Sequence, residues 1–194
     1  MMNTTKETTD AMTLMHEIHP EDSHWWGFAA LPDELDYPFN GEDNPLTLIC
    51  QFHHGEGMIY VFADLDYFLG DYDADGGHIG EWNERFFKVL YSPTRENLHI
   101  HEIVDSDGES AVPAAEPLNA PSQRGEESGV LQHASCWTEE IEQEFPGYQV
   151  LLELDENDMI GLRFYDCGTL FFLIKPKDLE AKRFNKTKCV LYSY

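Results

Sequence analysis

Three groups of side chains have the types and spacing for chemistry. Asp71-Tyr72-Asp73-Ala74-Asp75-Gly76 fits the first six positions of a calcium loop, in which alternate carboxylates supply hard oxygen ligands and the glycine makes the sharp turn. The twelfth position of such a loop should be a bidentate Glu, and here it is Trp82. Helices should flank the loop, whereas apolar strand-like runs flank this one. Asp71, Asp73 and Asp75 are therefore weak metal candidates, expected to form a solvated acidic turn with at most millimolar calcium affinity. His99-Ile100-His101 is the second group. Side chains alternate along a strand, so His99 and His101 share a face and form a weak transition-metal candidate, with His53 or His54 as a third ligand. The bland reading is a polar outward face. The third group is His133-Ala134-Ser135-Cys136-Trp137, a thiol beside a base. No Gly-x-Ser-x-Gly elbow, phosphate loop, dinucleotide fingerprint or His-Glu-x-x-His accompanies these groups. The catalytic residues stay unassigned, and no cofactor is expected.

Charge excludes more than motifs assign. The chain has 194 residues with 12 Lys+Arg and 37 Asp+Glu, a formal net charge of −25. Binding phosphates needs a basic surface, so nucleic acid is excluded as a ligand, and anionic membrane surfaces with it. No apolar run approaches the roughly 18 residues of a membrane span, and residues 1–10 lack a signal-peptide pattern. Cys50, Cys136, Cys167 and Cys189 stand apart with no Cys-x-x-Cys pair. They read as reduced thiols of a cytoplasmic protein. Charge is also zoned. Residues 7–84 carry 18 acids and no Lys or Arg, while the last 20 residues hold Lys175, Lys177, Lys182, Arg183, Lys186 and Lys188 against Asp178 and Glu180. Such zoning serves solubility, or presents a negative face that steers a cationic protein partner.

The elements that must position these groups are mostly strands. Residues 46–52 alternate, which predicts a half-buried strand with Leu46, Leu48, Cys50 and Phe52 on one face. Residues 58–63 are apolar on both faces and read as a central strand and hairpin partner. Further strands are expected over 86–91, 98–104, 150–154, 160–165, 169–174 and 188–192. Short helices are expected near residues 14–18, from Thr138 to Phe145 and from Pro176 to Arg183. Residues 105–129 are rich in Pro, Gly, Ser and Glu and read as a loop. The expected fold class is α+β, a mostly antiparallel sheet core of two similar halves with a few short helices. Residues 1–22 precede a single domain over 23–194, with halves of about 23–104 and 130–194 joined by loop 105–129. Both halves run strand, Gly-led strand, strand, and both end in Val-Leu-Tyr-Ser, at residues 89–92 and 190–193.

These segments carry a family pattern. The stretch Ser23-His24-Trp25-Trp26-Gly27-Phe28-Ala29-Ala30-Leu31-Pro32, the pair Tyr37-Pro38, the strand from Pro45 to Gln51 and the Gly57-led aromatic strand recur in order. Leu151-Leu152-Glu153, Asp166-Cys167-Gly168, Leu170-Phe171-Phe172 and Asp178-Leu179 follow. In this the chain resembles the YwqG-like bacterial family, a domain of unknown function, over about residues 23–194. Trp26, Ala29, Glu153 and Tyr165 depart from the family's Gly, Pro, Gln and Gly. The resemblance implies no catalytic residues. Through relatives that neighbour secreted-toxin systems, it implies an immunity-like role. The expectation is a non-enzymatic, cytoplasmic binding protein whose acidic surface meets a basic protein partner. One alternative is an enzyme or small-ligand module with a pocket near residues 25–37, using Trp25, Trp26, Tyr37 and Asp166. The other is metal binding through Asp71–Asp75 or His99 and His101. The sequence leaves the oligomeric state open.

Overall fold

Apolar runs of six or seven residues, bounded by glycine and acidic turns, cannot bury both faces in a single layer. They pair into sheets, and the sheets stack. The computed structural model describes residues 18–64, 79–118, 129–131, 139–156, 162, 164 and 168–193. Its strands are β1 (His24–Trp25), β2 (Ala29–Pro32), β3 (Thr47–His54), β4 (Gly57–Ala63), β5 (Gly80–Glu81), β6 (Phe87–Ser92) and β7 (Leu98–His101). β8 (Glu116–Pro117), β9 (Gly129–Val130), β10 (Gln149–Asp155), β11 (Gly168–Ile174) and β12 (Lys188–Ser193) follow. Helix among the described residues is confined to α1 (Glu139–Glu144), α2 (Pro176–Glu180) and a 3-10 turn at Phe184–Lys186. The α+β expectation is therefore corrected. The architecture is mostly antiparallel β, because two sheets cover each other and need only one short helix and a ribbon on their outer faces.

Sheet I has the order β6-β4-β3-β1-β8 and sheet II the order β5-β12-β11-β10-β9, all antiparallel. The same arrangement recurs in both, with the third long strand, the second, the first and a short preceding strand side by side. Each first strand also carries a bulge at the matched place, between Leu48 and Cys50 and between Val150 and Leu152. A bulge sends two successive residues to one face. Ile49 and Cys50 thus both enter the core between the sheets, as do Leu151 and Leu152. This overturns the expected alternation in β3. Leu46 and Leu48 face outward, whereas Ile49, Cys50 and Phe52 face inward, and six of the eight residues are buried.

The core between the sheets takes Ile59, Val61 and Ala63 from β4 and Leu170, Phe172 and Ile174 from β11. Tyr60 and Phe62 face the other way and pack beneath a two-stranded β2–β7 ribbon through Ala29 and Leu31. On the outer face of sheet II, Ile141 of α1 and Phe145 just after it cover Val150, Phe171, Leu173 and Val190. The shared Val-Leu-Tyr-Ser string does not mark equivalent positions. Val89 lies opposite Val61, whereas the residue opposite the matching Phe172 is Cys189, not Val190. The strings are one residue out of register, which turns Val89 inward and Val190 outward.

The connectors interlock the halves. β5, from the link between β4 and β6, pairs with β12 of the other sheet, and Trp82 N–H donates to Cys189 O at 2.8 Å. In return Phe184, from the link between β11 and β12, packs its ring 5.2 Å from Tyr91 and 5.9 Å from His54 on sheet I. β5 covers the edge of β12, where unpaired backbone groups would otherwise stand, while Phe184 joins the core between the sheets. Residues 105–110 form an exposed turn, and Glu116–Pro117 adds an edge strand to sheet I.

Tyr60 gives a local test of this packing. Its ring is fully buried and its hydroxyl has no hydrogen-bond partner among the described residues. Burial, with Glu34 nearby, pushes its pKa up to about 12. An unpartnered buried hydroxyl carries its desolvation cost uncompensated. Tyr60→Phe is expected to raise unfolding stability by about 1 kcal/mol in urea titrations. A loss of that size would reveal a partner for the hydroxyl.

Candidate functional site

The segment from His24 to Tyr37, singled out as a ligand pocket, divides over two faces of sheet I. β1 lies between β3 and β8, with Trp25 opposite Cys50 and His24 opposite Gln51. Trp25 therefore turns into the core between the sheets, and His24 turns outward beside Gln51. Trp26 joins Trp25 in that core at 2% exposure, with φ 55°. A Gly would suit this left-handed backbone, and a bulky residue there costs about 1–2 kcal/mol. Burial of the indole offsets that cost. Trp26 N–H donates to Ile49 O and Gly27 N–H to Pro113 O, which fixes the turn into β2. Tyr37 sits on the outer face. Its hydroxyl donates to Leu46 O, its ring packs 5.3 Å from Phe62, and burial raises its pKa. Trp25 and Trp26 thus do not meet Tyr37 in one pocket. Asp166 lies outside the described residues.

The metal candidates separate in the same way. His99 pairs with Asp33 at 2.7 Å on the surface, while His101 lies 5.4 Å from the Tyr37 ring. His53 Nε2 meets Glu21 O at 2.6 Å, and His54 packs on Tyr91 and Phe184. Among the described residues no three His, Cys, Asp or Glu side chains converge on a metal position. Asp71, Asp73 and Asp75 lie outside the described residues, as do His133, Cys136 and Cys167. Asp64, at the start of that loop, accepts from Asn40 Nδ2 at 2.6 Å. Cys50 and Cys189 are free, buried thiols whose pKa burial raises, which keeps them protonated and unreactive.

His24 was not singled out by sequence reasoning. Its side chain is 3% exposed, and Nδ1 lies 2.8 Å from Trp26 O. A carbonyl oxygen only accepts, so this contact assigns the proton to Nδ1 and leaves the lone pair on Nε2. Burial lowers the His24 pKa more than its backbone hydrogen bonds and Asp22 raise it, so the ring is neutral at pH 7. His24 lines a half-open cavity of about 180 Å³ with a second imidazole, His19, and the apolar Ile18, Pro20, Phe28, Ala30, Ile100 and Ala115. Beside it Gln51, fully buried, ties the segment down. Its Nε2 donates to Pro20 O and Asp22 O at 2.7 and 2.9 Å, and its Oε1 accepts from Ala30 N–H. The matched position of sheet II holds Glu153 opposite Gly129, so that sheet has no counterpart of the imidazole. The signal in the sequence was the alternation His24-Trp25, polar out and aromatic in. Two residues are too short a run for that pattern to stand out.

Residues 123–192 match a family model described as a domain of unknown function, DUF1963. This span takes in the described strands of sheet II from β9 to β12, just over a third of the chain. The match supports an unknown-function domain there and does not carry the YwqG-like name. No curated protein matches the chain. No helix among the described residues is long and apolar enough to cross a membrane.

Proposed function

We propose that this is a non-enzymatic binding protein that presents an acidic face to a basic protein partner, in the manner of an immunity-like inhibitor. The observation that carries the reading is the charge around the β2–β7 ribbon. Asp33, Glu34, Asp36, Glu42 and Asp43 are exposed beyond one end of it, and Glu102, Asp105, Asp107 and Glu109 are exposed beyond the other. Phe39, Ile100 and Val104 stand exposed among them. Acids speed encounter with a cation-bearing surface, and apolar side chains supply contact area once it docks.

The basic C-terminal segment is engaged elsewhere. Arg183 pairs with Asp178 at 2.6 Å and Lys188 with Glu81, while Lys175 and Lys182 lie over the Tyr148 and Tyr91 rings. These contacts hold four of the six C-terminal cations against other parts of the body. The resolved pKa shifts of Tyr37, Tyr60, Cys50, Cys189 and His24 all have burial as their largest cause, rather than the paired charges that tune an acid–base couple.

The test is capture from the source cells at low and high salt, followed by rate measurements on the identified partner. A basic partner should associate about 10-fold more slowly with the D33N/D36N/E42Q/D43N variant, and the difference should vanish at high salt. A partner without basic surface, or an association rate indifferent to both salt and the variant, would remove the basis for this reading.

A further inference from the structure

We infer that the His24 cavity is a binding site for a small phenol-type molecule, an aromatic ring carrying one hydroxyl donor, and this inference is independent of the acidic face. Three observations fix the ligand class. The first is the imidazole itself. His24 is buried to 3% exposure, and its Nδ1–H is committed to Trp26 O, which makes Nε2 the acceptor of the neutral ring. It is a hydrogen-bond acceptor held in place by its own backbone turn, and an acceptor calls for a donor on the ligand. The second is the wall. Besides the two imidazoles, His19 and His24, the lining is Ile18, Pro20, Phe28, Ala30, Ile100 and Ala115, all apolar, so most of the ligand is apolar. The third is size. The cavity holds about 180 Å³, and an apolar cavity of about 150 Å³ accepts a benzene ring.

The site is built rather than incidental. Gln51 anchors Pro20 and Asp22 on one side of His24 and Ala30 on the other, so the walls and the acceptor are fixed by one buried side chain. The ribbon pairing of Ala30 with Ile100 completes the wall. A ring seated between Phe28 and Ile100 would bring a hydroxyl to Nε2, with no charge required on either side.

The experiment uses 4-methylphenol as the probe and toluene as its donor-free counterpart. Each is titrated into the full chain, with binding followed by the ¹⁵N shift of the His24 ring in imidazole-labelled protein. 4-Methylphenol should bind saturably with a Kd of about 1 mM, the range open to a ligand of so few atoms. The Nε2 resonance should move more than Nδ1. Toluene should bind about 10-fold more weakly, the worth of one hydrogen bond. Ile100→Trp fills the cavity mouth from an exposed position on β7, leaves His24 in place and should abolish the shift while the fold, checked by amide spectra, persists. Absence of saturable binding up to the probe's solubility would overturn the inference. So would equal affinity for toluene, or binding that survives Ile100→Trp.

Discussion

Phe172→Ala is expected to destabilise the protein by about 3–5 kcal/mol, a large share of the total stability of a domain. Phe172 is fully buried in β11, paired with Leu152 on one side and Cys189 on the other. Its ring crosses to the opposite sheet and meets Phe87 edge-on at 5.9 Å. The truncation therefore removes a contact between the halves as well as one within sheet II. The rigid sheets cannot close over the gap, so the cavity cost adds to the lost burial. Fluorescence of the tryptophans and far-ultraviolet circular dichroism should lose signal in one coincident urea transition, shifted to a lower midpoint. A transition that splits in two, with sheet I unaffected, would show that the interlocking connectors do not couple the halves.

Gly57→Ala and Gly168→Ala are expected to cost about 3 kcal/mol each. These residues open β4 and β11 and are the Gly-led positions of the two halves. An added Cβ at Gly57 would sit 2.1 Å from Ser92 O, and at Gly168 it would sit 2.3 Å from Phe164 O. Both obstacles are backbone carbonyls in or beside a packed sheet, so neither can swing aside as a side-chain tip would. Away from such contacts, Gly→Ala stabilises by about 0.4–1 kcal/mol through the unfolded chain. The sign of the measured change therefore distinguishes close approach from mere flexibility. A denaturation midpoint equal to or above that of the parent chain would rule out the close approach.

The sequence alone determined the long strands. β4, β6, β10, β11 and β12 lie where apolar runs of strand length, bounded by glycine or charge, required them, and Pro176 opens α2 where its missing N–H is harmless. It also determined the charge, and hence which partners an electrostatic argument could exclude. Sequence periodicity was misleading where a bulge intervened. Alternation through Leu48 and Cys50 predicted one buried face, but the extra residue at Ile49 switches faces midway, and the cover on both sides of sheet I buries them all. The repeated Val-Leu-Tyr-Ser was misleading for a related reason. Letters match without regard to register, and a shift of one residue turns the same letters to opposite faces. Only the tertiary structure decided that Trp25 and Trp26 are core while Tyr37 lies on the outer face. It also decided that His99, His101, His53 and His54 each meet a different neighbour. Each of these outcomes depends on which segment lies across the sheet, a contact between residues far apart in the chain. His24 shows this most plainly. Its tautomer is set by Trp26, its walls by residues from Ile18 to Ala115, and its position by Gln51 on the neighbouring strand. No local pattern in the sequence brings those residues together; the antiparallel pairing of β1 with β3 does.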